Sequence, residues 1–98
     1  YNQIDAMHNK KILIIRKKLD FLDNQLLSII KKRVKLVSII LKNKKFKKQI
    51  VDKKRIKQIL SRIKKKSKEK NIDTQITQEI WKSMINACIK YEYRNFKK

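Results

Sequence analysis

The chain contains 0 Gly and 0 Pro in 98 residues. Glycine supplies left-handed backbone and close approach, and proline pre-sets turns. Without them, tight turns, Gly-rich phosphate loops and most hairpins lose their usual residues. That argues against a Rossmann fold, a P-loop or an all-β sandwich, and leaves long helices joined by short polar links. Acidic residues are also scarce, with 8 Asp and Glu against 29 Lys and Arg, for a formal net charge of +21. Such an excess suggests nucleic acid or an anionic membrane surface as a partner. It is nearly all lysine, however, and Ile and Asn are abundant too. All three have AT-rich codons, so genomic bias is an equally open source of the charge.

There is 1 cysteine, Cys88, so no disulfide can form within the chain, which fits a reducing compartment such as the cytoplasm. Cys88 has no second soft ligand nearby and His8 stands alone, so a metal site is not expected. No apolar run is long enough to span a membrane; "LVSIIL" (36–41) falls far short. No signal peptide is visible. Because the chain begins at Tyr1 rather than Met, a trimmed chain or a piece of a longer protein is expected.

What is present is helical periodicity. Ile12, Ile15, Leu19, Leu22, Leu26, Ile29, Leu36 and Ile40 alternate steps of three and four, a heptad seam held for several turns. The spacing predicts one helix from about Ile4 to about Lys44, about 60 Å long at about 1.5 Å per residue. Two short helices of the same chain cannot cover such a stripe, and the simplest cover is a second copy of it. "KKFKKQIV" (44–51) breaks the pattern and reads as a loop. Asp52 is suited to cap a second helix over about 52–70, with Ile56, Ile59, Leu60 and Ile63 as its stripe and "KKKSKEKN" (64–71) as its polar end. Asp73 is suited to cap a third helix over about 73–96, whose buried face would carry Trp81, Met84, Ile85, Cys88 and Ile89. The expected architecture is all-α: one domain over 1–98, with one long and two shorter helices per chain in an intertwined homodimer.

Several polar residues occupy unexpected places. Arg33 sits in the seam, between Leu26 and Ile40. It could snorkel to water or fix coiled-coil register, or it could hold a carboxylate through two parallel hydrogen bonds. Arg16, Asp23 and Lys44 flank the same seam. Arg33 and Lys44 are three turns apart, roughly 16 Å along a helix, so long side chains could both reach a small ligand between them. Arg16 and Arg33 are roughly 25 Å apart by the same rise, too far for one small ligand on one helix. In an antiparallel pair, Arg16 of one chain can arrive beside Arg33 of the other. Arg55 opens the second helix and can face inward or serve as one more surface base. Glu92, one turn after Cys88, is the only acid on the third helix's buried stripe. A carboxylate there is costly unless paired or protonated; a helix-edge partner to a surface lysine is the equally open alternative. No Ser-His-Asp or Cys-His nucleophile pair is present.

With these residues in hand, the chain resembles the all-α chorismate mutases of bacterial type from about Ile12 to Glu92. The resemblance is carried by Arg16, "LDFLDNQLLSIIKKRVKLV" (19–37), Lys44, "DKKR" (52–55) and the third helix. It implies an intertwined dimer with two equivalent sites for chorismate and no cofactor or metal. It implies that Arg33, with Arg16 across the interface, holds the two substrate carboxylates. Lys44 would face the ether oxygen of the breaking C–O bond, and Arg55 would add positive charge. Asp52 would fix the substrate hydroxyl, while Cys88 and Glu92 complete the wall. Such a rearrangement to prephenate is unimolecular and needs only a compact conformer and stabilised negative charge on the ether oxygen.

Two positions depart from the common pattern. Ile56 stands where the family often has Glu, and related isochorismate-pyruvate lyases tend to be apolar there. Glu92 stands where many bacterial members have Gln; some eukaryotic mutases carry Glu. An ionised carboxylate cannot donate to the ether oxygen, whereas a protonated one can. Competing readings are lyase activity on the same fold, a family member that has lost catalysis, and a basic helical module for nucleic acid. Against the last, lysine is spread over every segment and there is no aromatic ladder for stacking.

Overall fold

The computed structural model describes residues 3–97, with side chains from Met7 onward. The fold is all-α among these residues: α1 (Gln3–Lys42), α2 (Lys53–Glu69) and α3 (Thr74–Asn95), with a single 3-10 turn at Lys47–Gln49. The chain divides into two compact units, Tyr1–Lys35 and Leu36–Lys98, and α1 runs through both.

In the first unit the apolar seam has no cover. Twelve large apolar residues from Met7 to Ile30 are exposed, among them Ile15, Leu19, Leu22 and Leu26. A surface helix of a self-contained domain buries such a stripe.

The second unit has a core. The helices α2 and α3 pack on each other, with Ile59 of α2 and Ile85 of α3 buried, and Leu41 and Ile50 are buried as well. Trp81, Met84, Cys88 and Ile89 are half-buried on α3, the face that the spacing predicts.

Polar side chains replace glycine and proline at the junctions. Asp52 caps α2 by accepting from the Arg55 N–H at 3.0 Å. Asp73 caps α3 by accepting from the N–H groups of Gln75 and Ile76 at 2.8 and 3.3 Å. At the end of α2, Asn71 takes a left-handed φ of 57°. The Ile72 N–H then reaches the Ser67 carbonyl at 2.8 Å, and the Asn71 N–H reaches that of Lys68 at 3.2 Å. This is the Schellman arrangement, with asparagine in glycine's usual place.

One buried polar contact joins α2 to α3. The Ser67 hydroxyl donates to the Ile63 carbonyl at 2.6 Å and shares a 2.7 Å hydrogen bond with Thr77. Both residues are buried. Ser67→Ala should lower stability by about 1 kcal/mol, since the Thr77 hydroxyl loses its short partner. Urea denaturation checks this, and an unchanged midpoint would count against the contact.

Candidate active site

The second unit brings Lys44 and Glu92 together. Lys44 lies two residues past the end of α1. Its Nζ donates to Glu92 Oε1 at 2.9 Å, with side chains 18% and 7% exposed. These exposures matter because a pair so far withdrawn from water is only weakly screened. Removing either partner strands a charge in poor solvent. Of the two readings of Glu92, the surface pairing is set aside: the carboxylate is buried and its lysine is half-buried.

The segment carrying Lys44 is folded by its own side chains. The Lys44 N–H still reaches the Leu41 carbonyl at 3.1 Å, extending the last turn of α1. Gln49 Oε1 then accepts from the N–H groups of Lys45 and Phe46 at 2.7 and 2.9 Å. Ile50, only 3% exposed, anchors the segment's far end. Sequence reasoning missed Gln49. A lone glutamine in a lysine-rich stretch carries no local signature, and its role appears only once the turn closes around it.

Asp52 shares a surface depression with Lys44, which is also lined by Lys48, Gln49, Val51 and Lys53. One Asp52 oxygen is committed to the helix cap. Arg55 is exposed in the first turn of α2, and Ile56 beside it is half-buried. Cys88 is half-buried one turn before Glu92 on α3. The next residue in that turn, Tyr91, pairs its hydroxyl with that of Ser38 at 2.7 Å and so ties α3 to the last turns of α1.

Arg16 and Arg33 both lie in the first unit on α1, Arg16 exposed and Arg33 half-buried. They are 17 residues apart on one continuous helix, roughly 25 Å, so a single chain does not bring them together. Asp23 is exposed on the same helix.

Within the second unit, then, a half-buried lysine is held against a buried acid. The family model for chorismate mutase type II matches residues 15–93, and the chain belongs to that family. The matched span contains Arg16, Arg33, Lys44, Asp52, Arg55, Ile56, Cys88 and Glu92. No curated protein and no solved structure matches the chain significantly. Among the described residues, no helix is long and apolar enough to cross a membrane.

Proposed function

We propose that the protein is an active chorismate mutase, converting chorismate to prephenate for aromatic amino acid synthesis in the cytoplasm. The observation that carries this reading is the Lys44–Glu92 pair at 2.9 Å in a chain of this family. A pericyclic rearrangement needs no nucleophile. One C–O bond breaks as one C–C bond forms, and negative charge gathers on the ether oxygen. A lysine fixed in a partly dry pocket stabilises that charge without reorganising at the moment of reaction.

The site is completed by a second chain. The uncovered seam of α1 supports this, because its exposed residues in the first unit, Ile12, Ile15, Leu19, Leu22, Leu26 and Ile29, find cover in a second α1. In an antiparallel pair, Arg16 of one chain meets Arg33 of the other, and the two guanidiniums bind the two carboxylates of the substrate. Each chain then forms one domain whose first unit packs on its partner. Asp52 and Arg55 frame the ring and its hydroxyl, with Ile56 and Cys88 as apolar wall.

Glu92 borders the ether oxygen beside Lys44. In the ligand-free chain its carboxylate takes the Lys44 N–H. When the ether oxygen takes that N–H instead, an ionised Glu92 repels the developing charge, whereas the protonated acid donates a second hydrogen bond. Glu92→Gln, a permanent donor, should therefore convert chorismate at least as fast as wild type. A Gln variant with no turnover would remove the assignment.

The test of the function is incubation with chorismate, following loss of its diene absorbance and identifying the product. Prephenate is the expected product. The half-buried Ile56, in place of an acid, supports the second reading. Pyruvate released from isochorismate, with no prephenate from chorismate, would establish the lyase instead.

A further inference from the structure

The exposed apolar residues of the first unit do not all belong to the seam. Met7, Ile14 and Phe21 are 57%, 56% and 63% exposed. They recur every seven residues, and at 100° per residue their row lies roughly 110° around the helix from the centre of the seam. A second α1 seated on the seam leaves this row outside. Lysines line it on both sides: Lys10 and Lys17 on one flank, Lys11 and Lys18 on the other, all exposed.

Between Ile14 and Phe21 the surface is concave, with Lys17, Lys18 and Leu22 as the remaining walls. Ile14, Lys17, Lys18 and Phe21 stand at positions i, i+3, i+4 and i+7. Those four positions form the hole that receives one knob residue of a neighbouring helix. The lysine stems furnish hydrocarbon to the hole, while their ammonium groups stand at its rim.

Charge and width decide what fits. A second copy of this row would bring lysine against lysine on both flanks. A lipid surface calls for a broad apolar face, and this row is one residue wide. A nucleic acid supplies phosphates to the lysines but no apolar knob for the hole. We infer that the outer row of α1 docks an acidic amphipathic helix of a partner protein, with apolar residues every seventh position and carboxylates three and four residues after each.

The probe is a synthetic peptide of three heptads, each Leu-Ala-Ala-Glu-Glu-Ala-Gln, titrated into the full chain with anisotropy as readout. It should bind at least about tenfold more tightly than a peptide of the same composition with the heptad order permuted. Phe21→Ala should weaken binding by about tenfold, and so should the pair Lys17→Glu with Lys18→Glu. A peptide carrying Lys in place of each Glu should bind the charge-reversed pair better than it binds wild type. Far-UV circular dichroism verifies that the variants keep their helices, and the two wild-type titrations decide the matter even if a variant does not fold. Equal binding of the permuted peptide overturns the inference, as does failure of the charge reversal in folded protein. Tighter binding of a single-stranded oligonucleotide or of phosphatidylglycerol vesicles, lost in the charge-reversed pair, overturns it in favour of a polyanion or a membrane. None of these outcomes depends on prephenate formation.

Discussion

Arg33→Ala should abolish measurable prephenate formation, lowering kcat/KM by at least about a hundredfold. Arg33 is half-buried in the seam, and the proposed grip of its guanidinium on a carboxylate, through two parallel hydrogen bonds, is one that alanine cannot replace. Arg16→Ala should have an effect of the same kind, although Arg16 is roughly 25 Å away along the same helix. The sharper form of the prediction mixes the two inactive variants. In a heterodimer, one site has both arginines and the other has neither. If half of the dimers are mixed and each has one good site, activity returns to about a quarter of wild type. Chorismate turnover after co-refolding checks this. No recovery, with heterodimers verified by light scattering and differential tagging, would show that the two arginines do not share a site across chains.

Lys44→Met should lower kcat by about a hundredfold to a thousandfold, the usual cost of losing one preorganised donor to a developing oxyanion. Methionine keeps much of the stem's volume and hydrocarbon packing. The loss would therefore fall on charge stabilisation rather than on the fold of the 44–51 segment, which Gln49 and Ile50 hold by other means. The substitution also leaves Glu92 buried without its 2.9 Å partner. Adding Glu92→Gln to Lys44→Met should recover stability without recovering rate, since a neutral amide tolerates burial that an unpaired carboxylate does not. Urea denaturation and chorismate turnover on the four-member cycle separate the two effects. Equal kcat in wild type and Lys44→Met would exclude the lysine from the chemistry.

The helices could be read from periodicity, and two of their starts from Asp52 and Asp73, because capping is local chemistry between neighbours. Arg33 and Glu92 were conspicuous for a related reason: each is a charge at an apolar position of a regular pattern. Their consequences were less legible. Glu92 and Lys44 are separated by 48 residues, and no spacing rule joins positions so far apart; the family resemblance had to supply that link. The loop closure by Gln49 and the left-handed turn at Asn71 were not foreseen. Both depend on a backbone course that the sequence does not mark with glycine or proline. The row formed by Met7, Ile14 and Phe21 was present in the pattern too. It was masked by the stronger seam on the same helix.

The uncovered seam of α1 also bears on time. If a second chain covers this stripe, as proposed, its burial is not a first-order event, and the late stage of refolding should follow the square of chain concentration. Proline isomerisation, the usual source of a slow unimolecular phase, has no substrate in a chain with 0 Pro. The slowest step on the way to an active protein would then be the meeting of two chains, and the delay before activity would shorten as more of the protein is made.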